Sequence, residues 1–215
     1  NKVNVLDNYA PTSAGGASFG SDQFASSSTE WYNSVISGNS CLYQSGAIGF
    51  GSWDDTVILS NLTITGNHIG NTVKGSADLT MVNCIIWGNA GDTDIEFGDH
   101  QLAGPFNISY TILEDGQNSI NMPDDSDALN WGDGNINSNP LFIDAENGDY
   151  RLADYSPAIG AGTITGAPLT DLDGNIRPNP EGSNPDMGAY ENMLGTPIPK
   201  PTLVLVDQTG AGLFT

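Results

Sequence analysis

Residues 56 to 67 read TVILSNLTITGN, in which apolar and polar residues alternate on both sides of an asparagine. Val57 and Leu59 set one phase of the alternation, and Leu62 and Ile64 resume it in the other. An alternation with period two predicts a strand with one buried face. Because asparagine tolerates the left-handed conformation, the change of phase at Asn61 predicts a one-residue corner.

The chain repeats this frame of asparagine, four residues and then Gly-Asn. It occurs at residues 33–39, 61–67 and 83–89, with looser copies at 3–8 (VNVLDN) and 108–115 (ISYTILED). Strand, corner, strand, corner describes one coil of a solenoid, in which insertions are absorbed by loops. The sequence therefore predicts an all-β fold, a right-handed parallel β-helix of about five coils with an irregular C-terminal cap. An antiparallel sandwich, the alternative, does not account for asparagine in a fixed position.

The repeat also assigns side chains to the interior, the exterior and the corners of the predicted coils. Stacked amides bond to one another along the axis and would hold successive coils in register. At the corner, Asn33, Asn61 and Asn83 are expected to form an amide ladder. Two rows are expected in the interior, one of Ser34, Leu62 and Cys84 and the other of Ile36, Ile64 and Ile86. On the outside, Thr63 is expected beside Ile85, and Thr65 beside Trp87.

The two cysteines are predicted not to form a disulfide. Cys84 fills an interior position two coils from the coil that ends near Cys41. That separation is about 10 Å from the strand spacing alone, whereas a disulfide requires Cα atoms within about 7 Å.

Composition excludes several classes of partner. Five basic and 26 acidic residues give a net charge of −21, which makes nucleic acid and anionic membrane surfaces unsuitable partners. Apolar residues make up 38% of the chain, and 27 glycines and 12 prolines indicate many tight turns. The sequence also contains no stretch long enough to span a bilayer.

Three motifs follow one another in the second half of the chain. They are NPLFIDAENGDYRLADYSPAIGAG at residues 139–162, TDLDGNIRPNP at 170–180 and PDMGAYE at 185–191. In this order they resemble the end of secreted bacterial right-handed parallel β-helix proteins, whose terminal module is known as the choice-of-anchor Q domain. The resemblance implies a secreted protein at a cell surface and implies no particular reaction.

The chain is divided into three parts on this basis. Residues 1–116 are predicted to form the coils, 117–194 a C-terminal loop and cap module, and 195–215 a Pro-rich linker and terminal strand. The cap is expected to fold over the last coil, where a solenoid would otherwise expose unpaired backbone groups and its core. Its expected apolar anchors are Leu141, Phe142, Tyr150, Leu152, Ile159 and Tyr190.

Two groups of residues are candidate ligand sites. Asp171, Asp173 and Asn175 have an order that can offer oxygens to Ca²⁺, and a turn stabilised by aspartate side chains is the favoured alternative. An outward Trp87 could stack on a sugar ring, although cover by the loop that contains Trp131 is favoured. The sequence assigns no catalytic residue, and Ca²⁺ is the one cofactor that its motifs suggest.

The sequence as a whole favours a non-catalytic structural or adhesive protein, secreted or held at the cell surface. A carbohydrate-active domain, either a polysaccharide lyase or hydrolase or a glycan-binding module, is the alternative. End-to-end self-association is also predicted. The coil at Val3 would present an open edge to a neighbour's stretch TLVLV, which begins at Thr202 and ends at Val206.

Overall fold

The structure is a computed structural model that describes residues 2–12, 14–19, 26–42, 45–51, 55–68, 70–91, 93–97, 105–121 and 129–201. Within these ranges the protein is built from β-strands and loops, with two short 3-10 helices and no α-helix. No helix in the described part is long and apolar enough to cross a bilayer. The stretch TLVLV lies outside the described residues.

Seventeen strands are present in the described ranges. In chain order they are β1 (Asn4–Leu6), β2 (Tyr9–Ala10), β3 (Ala17–Phe19), β4 (Ser28–Ser37), β5 (Ser40–Cys41), β6 (Ser45–Phe50), β7 (Thr56–Thr65), β8 (Asn71–Gly75), β9 (Asp78–Val82), β10 (Ile85–Trp87), β11 (Ile95–Phe97), β12 (Phe106–Ser109), β13 (Ile112–Leu113), β14 (Ile120–Asn121), β15 (Leu129–Trp131), β16 (Phe142–Asp144) and β17 (Asp149–Leu152). The 3-10 helices are Gly116–Ser119 and Ala145–Asn147.

Strands from successive repeats pair in parallel, which confirms the predicted solenoid. One sheet joins β1, β4, β7, β9, β12 and β15, with β10 and β13 continuing it beyond the asparagine corner. A second sheet joins β3, β6, β8, β11 and β14. The solenoid has about four turns. This is one turn fewer than the five coils predicted from the sequence.

Each turn bends at two residues with left-handed backbone. Asn33, Asn61 and Asn83 have φ of 49°, 51° and 54° at the first corner, as their position in the repeat predicts. Glycines of the Gly-Asn pairs form the second corner, with φ of 69° at Gly38 and 63° at Gly66. A single left-handed residue turns the chain sharply without interrupting the pairing on either side.

The interior rows also agree with the sequence. Ser34 pairs with Leu62, and Ile64 lies between Ile36 and Ile86 in the parallel register. These side chains and Cys84 are all fully buried, and the apolar ones belong to one core cluster. Cys41 and Cys84 are both buried and form no disulfide, as predicted.

The amide ladder stands at the other corner from the one predicted. The Asn39 side chain donates to Oδ1 of Asn67 at 3.0 Å, Asn67 donates to Asn89 at 2.9 Å, and Asn8 donates to Asn39 at 2.9 Å. Each of these Oδ1 atoms also accepts the backbone N–H of the preceding asparagine in the ladder. Asparagines that follow a left-handed residue, Asp7 or a glycine, therefore hold the coils together.

The predicted ladder of Asn33, Asn61 and Asn83 is reduced to one bond, of 3.3 Å from Asn83 to Asn61. The amides at this corner face another part of the chain. Asn33 donates to the carbonyl of Thr170, and Asn83 donates to the carbonyl of Thr163 at 2.8 Å. Their hydrogen-bonding groups are therefore used to attach the C-terminal segment.

That segment, residues 139–194, is here named the side module. This segment was predicted to cover the end of the solenoid, but its described contacts with the solenoid lie along the side of the coils. It touches Asn33, Asn61 and Asn83, which belong to three successive turns. The final solenoid strand, β15, precedes it and pairs in parallel with β12.

The ladder predicts that loss of one buried amide strongly lowers the stability of the fold. Replacing Asn67 with alanine removes the acceptor of the Asn39 backbone N–H, one of the bonds of the Asn39 side-chain amide and the amide donor to the carbonyl of Ile36, and Asn67 is 2% exposed. We expect Asn67→Ala to lower the free energy of unfolding by about 2–4 kcal/mol, since each unsatisfied buried group costs about 1–3 kcal/mol. Urea unfolding measures this change. Asn130→Ala, at an exposed amide, is the control, and equal effects of the two changes would contradict the role of the ladder.

Candidate functional site

An outward-facing row of the solenoid is buried by the side module. Val35, Thr63, Ile85 and Ile112 lie in register on this face, and each is at most 2% exposed. Ile85 and Ile112 form a second apolar cluster with residues of the side module: Leu152, Ala158, Ile159 and Met187. The outward row is thus a second core.

Backbone groups of the side module approach the solenoid closely at Gly188. Its φ is +88°, and a Cβ there would lie 2.7 Å from Cδ1 of Ile85 and 2.9 Å from Oγ1 of Thr63. The following residue, Ala189, donates its N–H to that Thr63 hydroxyl at 3.0 Å. Glycine in the sequence PDMGAYE is therefore required both by the backbone conformation and by the contact.

Behind this contact the side module buries four charged side chains. Arg177 and Glu191 form an ion pair with 3.1 Å between Nε and Oε2, and both side chains are inaccessible to solvent. Asp171 and Asp186 are fully buried beside them. The carboxylates of Glu191 and Asp186 accept backbone N–H groups of Asn179, Gly160 and Asn192. Such bonds satisfy buried charge and hold irregular loops in one shape.

Burial and the neighbouring Glu191 charge raise the pKa of Asp186 to about 7. On the solenoid, burial and the neighbouring Glu114 charge likewise raise the pKa of Asp94 to about 7. Both carboxyl groups therefore bind protons more tightly in the folded protein than in the unfolded chain, where an aspartate has a pKa of about 3.9.

A groove opens where the side module meets the second corner of the solenoid. It has a volume of about 470 Å³, and the described residues that line it are Thr65, Gly66, Trp87, Gly88, Asn139, Leu141, Phe142, Ala145, Glu146 and Tyr150. We name it the Trp87 groove. The solenoid supplies the outward row of Thr65 and Trp87, and the module supplies the aromatic rings of its β16–β17 hairpin.

The groove has rigid aromatic walls. Phe142 and Tyr150 pack edge to face, with ring centroids 5.6 Å apart and planes at 77°. The Tyr150 hydroxyl lies 2.6 Å from Oγ of Ser37, so a hydrogen bond joins the hairpin to the solenoid. Trp87 is partly buried against the second core. Aromatic faces with nearby hydroxyl and amide groups suit a ligand that has both an apolar face and polar substituents.

Trp87 occupies the predicted outward position above Thr65. Ile136, from the loop predicted to cover it, packs with Trp87 against the second core, and the side module supplies the facing wall of the groove. Trp131 instead packs against the interior core of the solenoid, because β15 forms a further strand of the first sheet. The sequence predicted Phe142 and Tyr150 as apolar anchors of the cap and not as residues of a ligand site. It gave no indication that Glu146 lines such a site.

The candidate calcium ligands form a turn. Both carboxylate oxygens of Asp171 accept hydrogen bonds from Asn175, at 2.8 Å and 3.0 Å, while Asp173 is exposed. Asp171 also accepts the N–H of Glu191 at 3.0 Å. Across the described ranges no group of three or more His, Cys, Asp or Glu residues is placed to hold a metal ion. Calcium binding stays a prediction.

Comparisons with protein-family models, with curated proteins and with solved structures give no match for this chain.

The raised carboxyl pKa values predict that stability falls as the pH rises. Between about pH 4 and pH 7 the folded protein holds protons on Asp186 and Asp94 that the unfolded chain releases. We expect the free energy of unfolding to be higher at pH 5 than at pH 8, by on the order of a few kcal/mol.

Urea unfolding across this pH range measures the effect. Asp186→Asn should reduce the slope with pH, whereas Asp173→Asn, at an exposed carboxylate, should leave it unchanged. A stability that is constant or rises from pH 5 to pH 8 would show that these groups do not titrate as described.

Proposed function

We propose that this protein is a non-catalytic adhesive or structural protein of a cell surface, and that the Trp87 groove is where it contacts glycans. The observation that carries the proposal is the groove itself, in which Trp87, Phe142 and Tyr150 line one open cavity. Aromatic rings held by a rigid scaffold can bind a sugar ring with little loss of side-chain entropy. A solenoid is also a stiff support on which to present such a site.

The chemistry of the lining supports binding more than catalysis. Hydrolysis of a glycosidic bond ordinarily requires two carboxyl groups on either side of the bond. Glu146 is the one carboxylate among the described lining residues. A lyase would need a base near an acidic sugar. The described lining of the groove contains no Lys or Arg, and Arg151, which follows Tyr150 in the sequence, is paired with Asp149.

Secretion is part of the proposal. The net charge of −21 favours a soluble protein with little affinity for anionic surfaces. The motifs at residues 139–162, 170–180 and 185–191 resemble the choice-of-anchor Q module of secreted β-helix proteins. In this chain the three motifs build the side module and hence one wall of the groove.

Loss of the tryptophan ring tests the proposed contact. Trp87→Ala should weaken binding to an immobilised glycan array by about tenfold or more, since a stacked aromatic ring contributes about 1–3 kcal/mol to such sites. Trp131→Ala, which removes a ring packed against the interior core, is the control. This variant should be less stable than wild type, but its folded form should bind the glycan with unchanged affinity. Equal binding by wild type and Trp87→Ala would contradict the proposal.

The same glycans should remain intact during incubation with the protein. Assays for ultraviolet-absorbing products and for new reducing ends distinguish the binding module from a polysaccharide lyase or hydrolase. If the wild-type protein released either product and Glu146→Gln did not, the proposal of a non-catalytic function would be wrong and the protein would be an enzyme.

We also propose that the protein associates end to end. Within the described residues β1 lies at the edge of the first sheet. Leu6 of this strand is 46% exposed, and Val3 and Tyr9 beside it are 44% and 60% exposed. A strand of a neighbour could add to this edge.

Light scattering tests this association. We expect assemblies larger than a monomer. Added salt should favour them, because it screens the repulsion between chains that each have a net charge of −21. Leu6→Lys should disperse them, and Leu169→Lys, at an exposed leucine of the side module, should not. A monodisperse monomer at every salt concentration would contradict this proposal.

A further inference from the structure

The Trp87 groove combines aromatic rings with a carboxylate. Trp87, Phe142 and Tyr150 contribute π faces or edges, and Glu146 on the 3-10 helix Ala145–Asn147 contributes negative charge. Rings of this kind attract cations through their quadrupole, and tryptophan does so most strongly. A carboxylate adds a charge-assisted hydrogen bond to any N–H donor that the rings attract. This pairing is typical of sites for organic ammonium groups.

The surroundings of the groove are negative as well. Glu114 accepts the N–H of Gly88, which lines the groove, at 2.7 Å. Asp144 lies immediately before the 3-10 helix and is exposed. The neighbouring cation, Arg151, is paired with Asp149, with 2.8 Å between Nε and Oδ1. The field at the groove is therefore attractive to cations and repels anions.

We propose that the Trp87 groove selects glycans that carry a free amine, such as glucosamine units, and that Glu146 sets this preference. The sugar ring stacks on Trp87, and the ammonium group donates to the Glu146 carboxylate. The inference rests on the proposed glycan-binding function and adds the chemical class of the ligand. Uronic acids are disfavoured because their carboxylates would face Glu146 and Glu114.

Three short oligosaccharides of equal length test this preference by isothermal titration calorimetry at physiological ionic strength. They are a glucosamine oligomer, its N-acetylated counterpart and a galacturonate oligomer. We expect the glucosamine oligomer to bind about tenfold more tightly than the acetylated one, since a hydrogen bond to a charged group is worth about 1.5–3 kcal/mol. The galacturonate oligomer should bind most weakly.

Two variants with the same net charge separate the site from the general field of the protein. Glu146→Gln should remove the difference between the glucosamine and acetylated oligomers, and Glu181→Gln, at an exposed glutamate outside the groove, should preserve it. Trp87→Ala should weaken both oligomers. An intact preference in Glu146→Gln, or its equal loss in both variants, would overturn the assignment of Glu146.

The outcomes also distinguish this inference from the function on which it rests. Tight binding of all three oligosaccharides without preference would leave the glycan-binding function standing and overturn the selection for amines. Binding of none, with wild type folded by circular dichroism, would overturn both.

Discussion

The architecture depends on residues that can adopt left-handed backbone at two points in every turn. In the three regular units asparagine supplies this conformation at one corner and glycine supplies it at the other, whereas the looser units use Asp7, Tyr110 and Asp115. Each corner then determines what the neighbouring side chain does. After Gly38 and Gly66, Asn39 and Asn67 point into the solenoid and bond to one another across turns. The corner therefore fixes both the path of the chain and the register of its strands.

The second core arises because one outward face of the solenoid is too apolar for water. Ile85 and Ile112 lie in its central row, where burial of each side chain is favourable by about 1.5–3 kcal/mol. The side module covers this row with apolar side chains such as Leu152, Ile159 and Met187. It uses the amides of Asn61 and Asn83 as attachment points. Its own irregular loops are held by the buried Arg177–Glu191 pair and by carboxylates that accept backbone N–H groups.

The groove follows from the same packing. The module covers the central outward row and leaves an open space beside the glycine corner, with Thr65 and Trp87 on the solenoid side. The hairpin of the module is attached to the solenoid by the hydrogen bond between the hydroxyl groups of Tyr150 and Ser37. Neither wall would be a site without the other, since the solenoid provides Trp87 and the hairpin provides Phe142, Tyr150 and Glu146.

The sequence determined the features that repeat. A period of two in the strands, a phase change at Asn61 and its equivalents, and a Gly-Asn pair at the end of each unit are local signals, and each has one physical cause. They predicted the parallel coils, the buried rows, the outward position of Trp87 and the separation of the cysteines. These rows could be predicted because each depends on the local repeat and not on where the rest of the chain packs.

Contacts between parts of the chain that are far apart in sequence were decided by the tertiary structure. Two asparagine rows have the same amide chemistry, so the sequence could not distinguish the row that bonds between turns from the row that binds Thr163 and Asp186. The side module has apolar residues that would suit the end of the solenoid or its side. Its position follows from the extra burial offered by Ile85 and Ile112, and Glu146 reaches the groove only as a result of that docking.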